Sequence, residues 1–374
     1  MWVTDMQKNA QEILNKIEDQ SYEAYIVGGF VRDYCTNKKS LDVDICTNAT
    51  PKELSVIFEG AIIPAETYGA VTLVYKNVRY EITTYRKDIR YDDYRRPGEV
   101  QYVDSLIEDL KRRDFTVNTL CMNSKGDVID LLGAKSDLDK KIIRTVDNPN
   151  VSLKQDVLRI LRAVRFSTSL DFKLCDEVKK AIIDNGSLLK NLSYNRKKEE
   201  LTKIFTSSNV MYGISLLLEL DLDKHLELSN LSKLIIVDDI LGIWAQLDVL
   251  DIYPFSNVEK DTIIKVKEAL LKPEVDNYSL YKYGLYVMSI VASIKGVDKK
   301  SLIKMYADLP IKSRSEIKID VKTLCEKLDI APSYWLKNVY ELLEKEIING
   351  SLNNEQNDIH EYVSKHIDTI LLVK

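Results

Sequence analysis

Cysteine and histidine are scarce in this chain of 374 residues. The five cysteines, Cys35, Cys46, Cys121, Cys175 and Cys325, include no Cys-x-x-Cys pair and are odd in number. That pattern argues against a disulfide framework and against a thiolate zinc site. His225, His360 and His366 form no ligand cluster, so a histidine metal centre or a catalytic triad is not expected. Glycine and proline, 13 and 8 residues, are too few for a collagen-like or low-complexity chain. No apolar run approaches the roughly 18 residues that a membrane-spanning helix needs. Residues 1–19 are charged throughout and lack a signal-peptide core. They read instead as an amphipathic helix with Ile13 and Ile17 on one face. The expectation is a reduced cytoplasmic compartment, with no membrane and no obligate protein partner.

Apolar residues make up an ordinary 45%, and the length suits two or three domains. The net charge is −5, but residues 151–206 carry twelve cations against seven anions. That stretch is +5 and leaves −10 for the rest, which suits a phosphate-bearing partner or simply a solvated helical face. Before about residue 140, β-type runs occur at 25–27, 41–45, 70–75, 79–85 and 128–132. Lys76-Asn77 suggests a hairpin turn, and Thr50-Pro51 a helix start with Thr as N-cap. Residues 86–105 are polar, contain the charged run 92–96 and Arg96-Pro97-Gly98, and read as a long mobile loop inside the first domain. After about residue 139 the apolar spacing turns to three-to-four. Helices are expected around 157–164, 216–222, 263–271, 283–294 and 336–348.

Four constellations carry chemistry. Gly28, Gly29, Phe30, Val31, Arg32 and Asp33 follow a strand with a helix start. Glycines admit close backbone approach, the helix N-terminus offers free N–H groups, and Arg32 adds charge, as in a phosphate cradle. Taken alone this is more often a plain turn, and neither the Walker lysine nor a GxGxxG pattern is present. Next, Asp42 and Asp44 in a strand project to one side while Val43 and Ile45 point inward. Two such carboxylates repel unless a cation sits between them, and magnesium prefers oxygen ligands. An isolated pair, however, is usually just an exposed strand end. Glu81, sharing a face with Arg79 and Thr83, is a third candidate carboxylate. In residues 111–118, arginines including Arg113 suit a triphosphate clamp, and Asp114 and Asn118 suit a ribose; a capped helix with a charged turn is the plain alternative. Finally, Asp156, Arg159, Arg162 and Arg165, spaced by three, neighbour one another along a helix. By themselves they read as a surface ion-pair stripe.

Together and in this order, the four resemble the class II tRNA nucleotidyltransferases. These are the CCA-adding enzymes of the DNA polymerase β-like superfamily, with bacterial poly(A) polymerases as close relatives. Residues 84–118 resemble the family's flexible loop running into its second motif. Asp130 through Leu138 resembles its hinge motif, and residues 317–355 its tail. The resemblance implies an α+β fold in a seahorse-like arrangement. A catalytic head with a small mixed β-sheet spans 1–139. An all-α neck with the base-recognition helix follows at 140–206, then a helical body at 207–275 and a tRNA-binding helical tail at 276–374. It implies that Asp42 and Asp44 hold two Mg2+ ions, and Glu81 stands with them as a catalytic carboxylate. Gly28, Gly29, Arg32, Arg113, Asp114 and Asn118 are then nucleotide-binding, and Asp156, Arg159, Arg162 and Arg165 match the nucleotide-binding residues of the neck. Two departures stand out: Gln155 where Glu is usual, and Tyr194-Asn195-Arg196 in place of an acidic residue before the arginine. No His-Asp dipeptide occurs, so the phosphohydrolase domain of some family members is not expected.

The implied reaction joins a nucleoside monophosphate from CTP or ATP to the 3′-hydroxyl of tRNA and releases pyrophosphate. Cytosine and adenine both present an amino donor beside a ring-nitrogen acceptor, and uracil and guanine present the reverse. A carboxylate next to a guanidinium matches the first pair and leaves the second unpaired. Asp156 and Arg159 supply those groups. Poly(A) polymerase or A-only addition remains the near alternative. A catalytically silent tRNA-binding protein and a nucleotidyltransferase acting on protein are the distant ones.

Overall fold

The computed structural model describes residues 5–40, 42–64, 68–92 and 96–372. Contacts divide the chain into two units, Met1–Ser232 and Lys233–Lys374. The first is mixed. Helix α1 (Asp5–Glu18) buries Ala10, Ile13, Leu14 and Ile17, the one-face spacing of an amphipathic helix. Strand β1 (Ala24–Val27) leads into α2 (Gly29–Cys35), and β2 (Asp44–Thr47) into α3 (Pro51–Ile57). Thr50 caps α3 reciprocally with Glu53, and Pro51 stands where a missing N–H costs nothing.

Strands β3 (Ala70–Tyr75) and β4 (Val78–Thr84) pair antiparallel, Tyr75 opposite Val78. Lys76 and Asn77 between them both take positive φ, 48° and 63°, the tight turn whose twist matches that of the strands. Then come β5 (Arg86–Asp92), β6 (Arg96–Tyr102), α4 (Leu106–Lys111), β7 (Cys121–Met122) and β8 (Val128–Ile129). Six strands form one sheet in the order β3-β4-β2-β1-β7-β8. It is mixed: β2 runs parallel to β4 and antiparallel to β1.

Three local expectations are corrected. The strand expected at 41–45 starts at Asp44, so Asp42 precedes it. The run at 128–132 shortens to two residues. Residues 86–102 are no irregular loop: β5 and β6 form an antiparallel hairpin, Arg86 opposite Tyr102 and Asp92 opposite Arg96. Its apolar alternation, Ile89 with Tyr91 and Val100 with Tyr102, is short and set among charges and Pro97-Gly98, and the pairing shifts register at Arg90. Asp93, Tyr94 and Arg95 of the charged run lie outside the described residues.

Helices dominate from residue 134 on: α5 (Ala134–Asp139), α6 (Pro149–Gln155), α7 (Leu158–Leu170), α8 (Asp176–Asn185), α9 (Tyr194–Phe205) and α10 (Val210–Glu219). A two-residue parallel pair, β9 (Ile142–Ile143) with β10 (Lys173–Leu174), is an exception to the all-α expectation there. In the second unit the longer helices are Asn257–Leu270, Asn277–Lys295, Trp335–Ile348 and Gln356–Leu372. Ser256 and Glu259 form a capping box for the first, and Gly284 (φ 78°) kinks the second. Among the described residues no helix is long and apolar enough to cross a membrane.

Candidate active site

The site is built on the ends of β1, β2 and β4. Gly28 follows β1 with φ 81° and ψ −134°, a backbone region that is costly for any residue with a Cβ. It is also crowded: a Cβ there would lie 3.6 Å from Arg113 Nη1 and 3.9 Å from Asp44 Oδ2. Gly28, Arg113 and Asp44 therefore meet. Antiparallel pairing sets Asp44 opposite Val27, and parallel pairing sets it beside Glu81. Val43 and Ile45 are buried while Asp42, Asp44 and Glu81 are exposed, so the expected alternation holds although Asp42 lies outside the ladder. Around Asp44 and Glu81 opens a cleft of about 300 Å³, with Thr83, Arg86, Arg112 and Arg113 on its walls.

Partial burial in this concave wall, and then the charge of Glu81, push the Asp44 carboxyl above its ordinary value; Arg113 pulls the other way. Ser40 Oγ donates to the main-chain carbonyl of Asp42, but among the described residues no hydrogen bond or ion pair ties down the carboxylates of Asp42, Asp44 or Glu81. Hard oxygen donors that repel one another and lack partners fit a hard divalent cation. Among the described residues no three such groups already converge into a ligand shell.

Arginines enter the cleft from the end of α4. Asp109, fully buried, receives Arg112 Nε at 2.8 Å on Oδ1 and Arg113 Nη2 at 3.2 Å on Oδ2. Burial works against the charge on Arg113, but Asp109 together with Cys46 and Cys121 outweighs it and holds the guanidinium above its ordinary value. Asp114 and Asn118, expected at a ribose, are buried and bonded to each other, Asn118 Nδ2 to Asp114 Oδ1 at 2.9 Å. Asp114 Oδ2 accepts from Arg162 Nε at 2.8 Å and Nη2 at 2.5 Å. Burial would raise this carboxyl, but Arg162 and Asn118 win and hold it down at about 2. Arg32 reaches Asn118 Oδ1 at 2.6 Å and Asp33 at 2.8 Å. A Cβ at Gly29 would lie 3.5 Å from Arg32 Nη2.

Asp156 and the three arginines do not share one helix. The chain breaks between α6 and α7, and Asp156 sits in the break with extended φ and ψ, its Oδ1 taking the N–H of Leu158 at 3.0 Å. The apolar spacing runs on through the break, which is why the sequence hides it. Arg159 Nε is 3.9 Å from Asp156 Oδ2. Its Nη1 donates to Ser152 Oγ and its Nη2 to the Arg112 carbonyl, each at 2.6 Å. Arg165 pairs with Glu200 at 2.7 Å. Phe166 gathers three guanidiniums, those of Arg165, Arg162 and Arg32, at 4.1, 5.1 and 5.5 Å from its ring centroid.

Sequence reasoning missed Asp109, Ser152, Phe166 and Glu200. Asp109 carried a signal, since it stands three and four residues before Arg112 and Arg113. Ser152, Phe166 and Glu200 acquire their roles only through tertiary contact.

Residues 24–144 match the family model described as the Poly A polymerase head domain, and residues 244–363 match that for tRNA nucleotidyltransferase domain 2. The CCA-adding enzyme of Limosilactobacillus reuteri is 34% identical over 386 residues, covering 95% of this chain and 96% of the relative. That of Ligilactobacillus salivarius is also 34% identical, with 98% of each chain covered. The chain belongs to the CCA-adding enzyme family. The crystal structure of the Bacillus stearothermophilus CCA-adding enzyme in complex with CTP superposes with a TM-score of 0.85 at 29% identity, over 98% of this chain and 99% of that one. The match to the head model takes in Gly28, Asp44, Glu81 and Arg113, while Asp156 to Arg165 lie beyond its end.

Proposed function

We propose that this protein adds the 3′-terminal C, C and A to tRNA, using CTP and ATP without a nucleic-acid template and releasing pyrophosphate. The observation that carries the reading is the Asp44–Glu81 register beside Arg112 and Arg113, in a cleft next to Gly28. Asp42 and Asp44 would hold two Mg2+ ions; when bound, these acidify the attacking hydroxyl and neutralise the leaving pyrophosphate. Glu81 adds negative charge beside Asp44. The N–H of Gly28 is taken by the Leu120 carbonyl, so the close backbone N–H groups for the triphosphate are those of Gly29 and the first turn of α2. Arg113 and Arg112 orient its oxygens from beside Gly28.

Base choice falls to Asp156 and Arg159. Two of the five N–H groups of Arg159 are held by Ser152 and Arg112, which fixes the guanidinium plane and leaves others for a base edge. Asp114, Asn118, Arg32 and Arg162 form a hydrogen-bonded network, and Arg165 stands apart on Glu200. Contacts to the nucleotide from the first four pass through groups already bonded to one another. The β5–β6 hairpin at the rim of the cleft, through Arg86, is the element that adjusts the site between C and the larger A. The working compartment is the cytoplasm. The division into head, neck, body and tail at residues 139, 206 and 275 is retained as the functional one, with the tail binding tRNA.

Asp42→Ala and Asp44→Ala test the metal assignment. Each abolishes nucleotide addition and leaves tRNA binding nearly intact, because both side chains serve metal and not RNA. Turnover of either variant within roughly tenfold of the wild type contradicts it, since a lost metal ligand should cost several kcal/mol in the transition state.

A further inference from the structure

Among the described residues of the head, Asp109 is the one fully buried carboxylate. Burying a charge is expensive unless it is paired and hydrogen-bonded. Here the pairing reaches three places at once. Oδ1 accepts from the main-chain N–H of Arg86, the first residue of β5, at 3.3 Å, and from Arg112 Nε at 2.8 Å. Oδ2 accepts from Arg113 Nη2 at 3.2 Å. The base of the hairpin and both arginines of the cleft thus hang on one side chain. The same short segment reaches further. The Arg112 carbonyl accepts from Arg159 at the start of α7, and Asp114 holds Arg162 one turn on.

We infer that Asp109 is a positioning residue that couples the β5–β6 hairpin to Arg112 and Arg113, so that a shift of the hairpin is felt at the triphosphate cleft. The inference rests on the reading that the hairpin adjusts the site between C and A addition. Its physical content is geometric. A carboxylate shared by a backbone N–H and two guanidiniums cannot follow one without dragging the others, and the arginines have little slack. Neutralising Asp109 also adds positive charge to the cleft, which favours a bound triphosphate. Weaker nucleotide binding is therefore not the signature. The signature is uncoupling, a loss that falls on the step needing the rearrangement.

The test uses the full-length protein and reads a ratio: A addition to tRNA ending in CC, divided by C addition to tRNA lacking its 3′ end, on one preparation. A change in the folded fraction cancels in that ratio, so a purely structural role does not move it. Asp109→Asn is expected to lower the ratio about tenfold, the size of one lost charge-assisted hydrogen bond. Asp109→Glu, which keeps the charge, recovers part of it. Deleting residues 90–98 lowers the ratio as well, and combining the deletion with Asp109→Asn lowers it no further, because both break one linkage. If Asp109→Asn keeps the wild-type ratio while the deletion lowers it, or if the two losses multiply, the coupling is overturned and the hairpin reading survives. If the deletion itself keeps the wild-type ratio, the hairpin reading is what falls. Should Asp109→Asn not fold, Asp109→Ser, which leaves room for water beside the guanidiniums, is judged by the same ratio and the same outcomes.

Discussion

Two carboxylates of the head respond to opposite forces. Asp44 faces a repelling neighbour with no bonded partner, whereas Asp114 is buried against Arg162 and Asn118 and stays ionised down to about pH 2. A carboxyl whose folded pKa is depressed stabilises the protein above its unfolded value, and that contribution fades as pH falls towards the folded one. From the reference value of 3.8 to about 2, Asp114 contributes on the order of 2 kcal/mol. Asp114→Asn should therefore be less stable than the wild type at pH 7, and the gap should narrow as the pH drops below about 4. Denaturant midpoints measured from pH 7 down to pH 3 check this; a gap independent of pH in that range rules out the ion-pair account. Arg159→Ala and Asp156→Ala should each raise misincorporation of UTP and GTP, by roughly 1–3 kcal/mol of lost discrimination per group. Competition assays with all four nucleotides measure it. Unchanged fidelity in an active Arg159→Ala enzyme would reduce that side chain to a strut between Ser152 and Arg112.

Among the elements, the β5–β6 hairpin and the α6–α7 break are where sequence and structure part. Both were hidden for a physical reason. The hairpin strands hold only two short apolar alternations, Ile89 with Tyr91 and Val100 with Tyr102, interrupted by Pro97-Gly98 and by a register shift at Arg90, and the α6–α7 break interrupts the backbone but not the apolar spacing on either side. Elements whose geometry is fixed locally were legible: the Lys76-Asn77 turn, the Thr50-Pro51 helix start, and the in-and-out pattern around Asp44. So was the family, because the order of its motifs along the chain is specific even where each alone is weak. Asp109, Ser152 and Phe166 were not, since their partners come from other elements. Deleting residues 90–98 removes the distal hairpin but leaves Arg86, Lys87 and Asp88 able to pair with Val100, Gln101 and Tyr102. C addition to tRNA lacking its end should persist while A addition to tRNA ending in CC falls sharply, with circular dichroism reporting an intact head. A rigid site shaped for C would otherwise exclude a purine. If the deletion variant adds A normally, the neck helix must rearrange by itself.

Across the whole molecule, charge and architecture bear on the partner. A chain of net −5 that binds a polyanion has to do so through local basic surface, and residues 151–206, formally +5, contribute to it although Arg159 and Lys197 of that stretch are buried. The affinity for tRNA should then fall linearly as log Kd against log salt, with a slope reporting the number of phosphates neutralised; a salt-independent affinity contradicts an electrostatic footprint. The most direct test of the central claim is a set of three parallel reactions. Purified protein is incubated with tRNA lacking its 3′ end, ending in C, or ending in CC, each with Mg2+ and with labelled CTP or ATP supplied separately. The account predicts two C additions to the first substrate, one to the second and none to the third, and a single A only on the tRNA ending in CC. Runs of A on any RNA end, or A addition without any C addition on the shorter substrates, would contradict it.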